Sequence, residues 1–467
     1  MITRRQFVGT GSAAFIAGAA PRKAWGRTSH EVAIIGAGLA GLHAASLLEQ
    51  AGLRCTVIEA ESRVGGRLHT LDDLPGRPEA GGIQVGQGYT ILRQTAARLD
   101  IVLDQSAGAG AGAVGSASAL TEVRGKVIAP ADWPTSTGNL LGEHERGLSP
   151  LALARHYAGA LPQFDRPESW LDADPSLDVS YAEALRRAGA SAEAQRLIDA
   201  NMNGNSLAAM SAISPARTAA VYRAGPGPTM VIRGGSQRLP EAMAGALAGD
   251  VQTGHPVRAI REGPDAVEIV LDHQTVRARQ AICTIPFASL RSVPVIADLP
   301  VAMAQMIGEL PYTRASFAFL SARSAFWRDD GLPETIWSDD PLIGRVFVVS
   351  DAPPMLKLWT FGEGADLIDR MSPDRASTAI IPRIEAIRPS ARGQLRLERL
   401  FSWQNRATAR GIYHHIGTGQ AAALAAATRH SGHRLHFAGE HLAQAATGME
   451  GALESGARAA MAVLARS

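Results

Sequence analysis

The sequence predicts an α/β protein, and three observations carry that prediction. Val32-Ala33-Ile34-Ile35 is a short apolar run rich in β-branched residues, the pattern of a buried parallel strand. Gly36-Ala37-Gly38-Leu39-Ala40-Gly41 follows at once and opens an Ala/Leu-rich helical pattern that reaches Gln50 before Gly52 stops it. Cys55-Thr56-Val57-Ile58 repeats the strand pattern and ends on Glu59, eighteen residues after Gly41. Strand, turn, helix, strand and acid in this order form a Rossmann-type dinucleotide-binding unit. Gly36 permits the tight turn, Gly38 lets backbone approach a pyrophosphate, and Gly41 lets helix pack closely on strand. The helix N-terminus offers unpaired N–H groups to phosphate. Gly36, Ala37, Gly38, Ala40 and Gly41 are therefore expected to hold a cofactor, with Glu59 accepting hydrogen bonds from ribose hydroxyls.

Composition sets the outer bounds. At 467 residues the chain is too long for one ordinary core, so two domains are expected. A formal net charge of +2 shows no nucleic-acid footprint, which needs a clustered basic face. Lysine occurs only at positions 23, 126 and 357, so arginine carries the positive charge. Thr3-Arg4-Arg5-Gln6-Phe7-Val8, followed by a small-residue apolar run to Ala20, has the form of a twin-arginine export signal. That pattern predicts a signal peptide over residues 1–28, passage through the twin-arginine translocase and a periplasmic location. The run is too short and too rich in Gly and Ala to span a bilayer, and no later window does better. Cys55 and Cys283 fall inside predicted strands and read as two buried thiols rather than a disulfide. Neither has ligands at zinc-like spacing, so no metal site is expected.

Further motifs narrow the cofactor. Glu59-Ala60-Glu61-Ser62-Arg63-Val64-Gly65-Gly66-Arg67-Leu68-His69-Thr70 and Glu79-Ala80-Gly81-Gly82-Ile83-Gln84-Val85-Gly86 each pair an acid with adjacent glycines. Near the other end, Leu435-His436-Phe437-Ala438 reads as a strand and Gly439-Glu440 as a turn, and Thr447-Gly448-Met449-Glu450-Gly451-Ala452-Leu453-Glu454-Ser455-Gly456 opens a last helix. Together these resemble the motifs of the flavin-dependent amine oxidase family, as do Gly254-His255-Pro256-Val257 and Ala281-Ile282-Cys283-Thr284-Ile285-Pro286. The resemblance implies a Rossmann-type FAD-binding domain built from residues 29–100, 229–300 and 402–467. An α+β substrate-binding domain, residues 101–228 and 301–401, is inserted into it. It also implies FAD contacts at Ala60, Gly65, Gly66, Arg67, Gly82, Ile83, Val257, Gly439, Glu440, Gly448 and Met449. The Arg67 guanidinium suits a phosphate, and a helix starting near Met449 would turn its positive end toward the flavin.

By the same resemblance the reacting site is an aromatic cage facing the flavin. Tyr413 matches its first wall, with Trp403 as structural support, while the second wall falls on Gly448 and leaves one side open. Gln84 and Phe317 are expected to contact substrate. Ile412 stands where covalent members carry cysteine, so FAD is expected without a covalent bond. Phe317 also occupies the place of the family's lysine, and no lysine is near it in sequence, which favours a dehydrogenase over an oxidase. Glu61, where a basic residue is frequent, should weaken the pull on phosphate. His414 and His415 follow Tyr413 and could reach the cavity, but they read more readily as surface or backbone-capping histidines, and His441 and Gln444 are weaker candidates still. No arginine follows the second Gly-Gly pair closely, although Arg93 is not far, which favours amines over α-amino acids.

The implied reaction is oxidation of an amine to an imine, which water converts to an aldehyde or ketone plus ammonia or amine. Hydride passes to flavin N5 and on to oxygen or a periplasmic electron acceptor. Desaturation of a hydrophobic cyclic substrate, L-amino acid oxidation, and a flavin-binding subunit without activity stay open as alternatives.

For the rest of the chain, helices are expected over Tyr89–Asp100, Tyr181–Ala200 and Pro240–Leu247, and a loop or weak strands over Ala107–Leu120. Strands at Val267–Leu271, Phe317–Leu320 and Arg345–Val349 are expected to form one mixed sheet behind the substrate cavity.

Overall fold

The computed structural model describes residues 28–105 and 119–466. The export-signal pattern and most of the Gly/Ala/Ser run lie outside the described residues. Two sheets organise the rest.

The first has eight strands with Thr28–Ile35 near its centre. Cys55–Ile58 and Thr275–Cys283 flank that strand, both parallel, in registers that set Ile58 and Cys283 opposite Ile35. Leu435–Phe437 adds a further parallel strand, with Phe437 opposite Cys283. Four segments spread over four hundred residues therefore end at one edge. In open α/β sheets that carboxyl edge is where ligands bind. The helix Leu39–Gln50 packs against the last helix, Gly448–Leu464. The two come so close that a Cβ on Gly456 would lie 2.3 Å from the Ala40 carbonyl oxygen.

The second sheet has seven strands, in the order Leu395–Ser402, Ala315–Ala322, Pro354–Phe361, Arg345–Asp351, Ile336–Ser338, Leu120–Val123 and Lys126–Ile128. Period-two alternation splits its side chains between two cores. Ala318, Leu320, Val346 and Leu358 pack with Ile380 and Ile384 of the helix Pro373–Ile387. Phe317 and Phe319 point the other way, to a cluster that includes Trp403 and Ile412. This second face looks toward the carboxyl edge of the first sheet.

The sheets match the predicted class: a Rossmann-type FAD-binding fold with an inserted α+β substrate-binding part. Two local expectations need correction. Val267–Val270 is a strand, but it pairs antiparallel with Thr275–Cys283 in the nucleotide sheet and takes no part in the sheet behind the cavity. Short alternating strands look alike whichever sheet they join. The segment 181–200 is two helices, Tyr181–Arg187 and Ala192–Ala200. Gly189 turns the chain at φ +83°, and the Ser191 hydroxyl then caps the second helix by accepting from Ala194 N–H.

Candidate active site

A cavity of about 580 Å³ runs along the carboxyl edge of the first sheet. Its inner end is built by the glycine turn. Gly36 holds φ +109°, and a Cβ there would meet Thr284 Oγ1 at 2.3 Å. A Cβ on Gly41 would lie 2.0 Å from the Gly36 carbonyl oxygen, so only glycine lets the helix sit on this turn. Gly38, by contrast, has nothing within 4 Å of its added Cβ and faces open cavity. It precedes Leu39–Gln50 as N-cap, and no side chain caps the helix. The first N–H groups are left for an anion.

Glu59 lines the same end. Its Oε2 accepts from Ala37 N–H at 2.7 Å and its Oε1 from Glu61 N–H at 2.8 Å. A carboxylate has further acceptor positions, so these bonds orient it and leave capacity for ribose hydroxyls. Burial raises its pKa, against the pull of the two N–H donors. Glu61 costs less than expected. It is 2.9 Å from Arg63 and 2.8 Å from Arg406, and it accepts from the Thr408 hydroxyl. Burial works against its ionisation, but these partners outweigh it and hold the carboxyl below its ordinary range. The glycine cradle, the uncapped helix and the oriented acid together fit a dinucleotide.

Of the residues predicted for the cofactor, Gly36, Gly38, Ala40, Glu59, Ala60, Gly65, Gly66, Arg67, Gly82, Ile83, Val257, Gly439, Glu440, Gly448 and Met449 line the cavity. Ala37 and Gly41 stand just behind it, Ala37 holding Glu59 and Gly41 fitting under Gly36. Of the residues predicted for substrate, Gln84, Tyr413 and Gly448 line the outer end, whereas Phe317 is fully buried in a second layer. Trp359 takes the lining position in front of it, since the register sets Phe317 opposite Trp359 on the next strand. Trp403 both lines the cavity and donates through Nε1 to the Ala80 carbonyl at 2.6 Å.

Buried charge gathers at the outer end. Glu440 Oε1 lies 2.8 Å from His414 Nδ1, and Glu440 Oε2 lies 3.2 Å from Arg67 Nη1. Burial alone would raise this carboxyl, but His414 and Arg67 overcome it and hold Glu440 well below the ordinary carboxylate range. His414 and His415 are thus buried side chains rather than surface ones. His415 Nδ1 meets the Thr313 hydroxyl at 3.1 Å, and burial lowers its pKa to about 4. Gly448 opens the last helix toward the cavity, which adds the positive end of a helix dipole.

Two sequence expectations change here. The cage beside Gly448 has a phenol near it: a Cβ on Gly448 would lie 3.1 Å from the Tyr89 hydroxyl. And a lysine does approach Phe317. Lys357 Nζ lies 4.1 Å from the Phe317 ring centroid, 4.8 Å from Trp359 and 5.6 Å from Phe319, and donates to the Glu79 carbonyl at 2.6 Å. It sits on the adjacent strand, opposite Phe319, forty residues beyond Phe317 in the chain. Strand pairing, not sequence distance, decides that contact. No local sequence pattern places Trp359, Lys357, Arg345 or Tyr89 at the site. An isolated lysine inside the apolar run Met355–Phe361 was the one signal for any of them.

Comparison with known proteins agrees with this geometry. The family model for flavin-containing amine oxidoreductases matches residues 39–464, and the chain belongs to that family. The flavin-dependent L-tryptophan oxidase RebO of Lentzea aerocolonigenes is 26% identical over half of this chain and 52% of its own length. The L-amino-acid oxidase of Mus musculus is 24% identical over 77% of this chain and 59% of its own. The chain thus spans little more than half the length of these two relatives. The putative L-amino-acid oxidase YobN of Bacillus subtilis is 24% identical over 92% of this chain and 94% of its own. Among solved structures, a putrescine oxidase double mutant superposes with a TM-score of 0.75 at 25% identity, over 94% of this chain and all of the other. Cyclohexylamine oxidase from Brevibacterium oxydans gives 0.78 at 22% identity, over 93% of this chain and 99% of its own.

Proposed function

We propose that this protein is a periplasmic, FAD-dependent enzyme that oxidises an amine to an imine. One observation carries the reading: a single cavity joins the dinucleotide cradle at Gly38 and Glu59 to an aromatic end at Trp359, Trp403 and Tyr413. Bound FAD supplies a two-electron acceptor at that end. The chain's own part is to bind, orient and exclude water. Tyr413 offers a ring face to the amine. Its hydroxyl donates to the Asn203 carbonyl at 3.3 Å, and burial pushes its pKa up, so it stays protonated and positions rather than abstracts a proton. Arg67, paired with Glu440 at 3.2 Å, and the N-terminus of the last helix both line the cavity and would hold bound FAD, where positive charge favours its reduced form. In becoming an imine the amine loses two electrons and two protons: the C–H bond would leave as hydride to the two-electron acceptor that FAD supplies, and the nitrogen would give one proton to solvent. Water then adds to the imine carbon, and carbonyl product and ammonia or amine depart.

Ile412 lines the cavity, while Cys55 and Cys283 are free and buried in the first sheet, which supports a cofactor held without a covalent bond. Among the described residues no helix is long and apolar enough to cross a membrane. The periplasmic location rests on the Arg4-Arg5 pattern, and the final acceptor is oxygen or a periplasmic redox protein.

The test is anaerobic mixing of the purified yellow protein with a panel of amines and amino acids. Bleaching by at least one is expected; bleaching by a carbocyclic compound alone would instead support desaturation. Denaturation in acid should release the flavin to the supernatant as FAD. Admitting air to the reduced protein separates the acceptors, since sluggish reoxidation marks a dehydrogenase. Fractionation of the source cell tests the location.

A further inference from the structure

Three arginines line the cavity, and two of them are already paired. Arg67 lies 3.2 Å from Glu440, and Arg258 lies 2.6 Å from Asp272. Arg410 differs. It is exposed on the open side of the cavity, and among the described residues its guanidinium makes no hydrogen bond and no ion pair. Glu61 and Glu440, acids of the same lining, are taken by other partners.

The backbone of Arg410 is unusual as well. It holds φ +51°, a left-handed conformation that glycine takes freely and arginine does not. Of the four non-glycine residues with positive φ among the described residues, it alone lines the cavity. The loop around it is closed at its base. The Trp403 carbonyl accepts from Arg406 N–H at 3.3 Å and from Gly411 N–H at 3.2 Å, and the Arg406 carbonyl accepts from Arg410 N–H at 2.9 Å. A backbone held in a sparsely populated region by its surroundings is a common feature of ligand clamps.

The same loop is fastened across the cavity wall to the nucleotide end. Glu61 accepts from the Thr408 hydroxyl and lies 2.8 Å from Arg406. Glu61 N–H in turn donates to Glu59 Oε1 at 2.8 Å, so the fastening point adjoins the acid assigned to ribose. Thr408 therefore stands at the ribose end, while Ile412 and Tyr413 stand at the aromatic end. Arg410 falls midway between Thr408 and Ile412 along the lining. In a flavin dinucleotide the pyrophosphate likewise lies between the adenosine ribose and the flavin ring. The uncapped helix N-terminus after Gly38 offers N–H groups to that pyrophosphate but no full charge to match its two. A guanidinium with free N–H groups suits phosphate oxygens bidentately.

We propose that residues 403–411 form a clasp over the cofactor, with Arg410 gripping the FAD pyrophosphate and Glu61 as the post that holds the clasp shut. The inference rests on the FAD reading above and is independent of the substrate. It gives Glu61 an effect opposite to its charge. A carboxylate near phosphate repels it, yet this one retains the cofactor by fixing the loop that carries Arg410.

The test is the rate at which diluted holoprotein releases its flavin, followed as a rise in flavin fluorescence at low and at high salt. Arg410→Gln and Arg410→Gly should each release FAD about tenfold faster than the native protein at low salt, with Arg410→Lys between. Glycine suits the left-handed backbone, so faster release from Arg410→Gly cannot come from a strained loop. Salt should speed release from the native protein and do so less in the Gln and Gly variants, which lack the charge to be screened. Glu61→Gln decides the role of the post. Charge removal alone predicts slower release, whereas the clasp predicts release about threefold faster or more. Rates for Arg410→Gln and Arg410→Gly within about twofold of native, an unchanged salt dependence, or slower release from Glu61→Gln overturns the proposal. Acid denaturation of the same samples identifies the flavin. FMN in the supernatant would refute the FAD reading and this inference with it, while FAD with unaltered release refutes the clasp alone.

Discussion

Lys357→Met is the most direct probe of how charge is held at the substrate end. The native ammonium is 4% exposed, packs on three aromatic rings and makes one hydrogen bond, to the Glu79 carbonyl. Burial lowers its pKa from 10.5 to about 7, opposed in part by the Glu79 carboxyl. At about 1.36 kcal/mol for each pH unit, that displacement corresponds to about 5 kcal/mol. The ring faces attract the ammonium by about 2 kcal/mol when desolvated, which leaves a net effect nearer 3 kcal/mol.

The sign follows from proton counts. The folded protein gives up this proton at lower pH than the unfolded chain does. Between the folded pKa and 10.5 the unfolded state therefore binds more protons, and native stability rises with pH. Below the folded pKa both states are protonated, and this contribution is flat. Methionine has similar length and no charge, so it removes the dependence and replaces it with a constant offset from the lost hydrogen bond. Thermal midpoints of both proteins should be measured from pH 6 to 9.5. The native protein should gain on Lys357→Met by roughly 1.5 to 3.5 kcal/mol across that range, nearly all of it above pH 7. Parallel profiles would show that Lys357 titrates as an ordinary lysine and that the burial argument is wrong.

Other variants probe the cradle, the cage and the thiols. Gly41→Ala places a Cβ 2.0 Å from a backbone oxygen that cannot give way cheaply; it should cost about 3 kcal/mol or more and yield protein with little flavin, read as the visible-to-ultraviolet absorbance ratio. Tyr413→Phe keeps the ring and loses only the bond to Asn203, so kcat/KM should change less than about threefold, whereas Tyr413→Ala should lower it about tenfold or more. Burial pushes both Cys55 and Cys283 up to about 12. A thiol reagent at pH 8 should label neither in the native protein and both after denaturation; fast labelling of either would contradict the packing.

The sequence by itself determined the dinucleotide cradle, because its chemistry is local. Gly36, Gly38, Gly41 and Glu59 act within one strand–turn–helix–strand unit, and the steric reasons for each glycine hold wherever that unit folds. It also determined that Gly439, Glu440, Gly448 and Met449 meet the same cavity, through a resemblance written in short motifs. Tertiary structure decided the substrate end. Lys357 reaches Phe317, and Arg345 reaches Trp359, only because adjacent strands pair in one register and not another. A slip by one residue would turn each of these side chains to the opposite face. Likewise, Tyr89 comes to Gly448, and His414 to Glu440, across elements that only the packed fold brings together. Whether a buried charge has a partner depends on such long-range meetings, and no local pattern of residues records them.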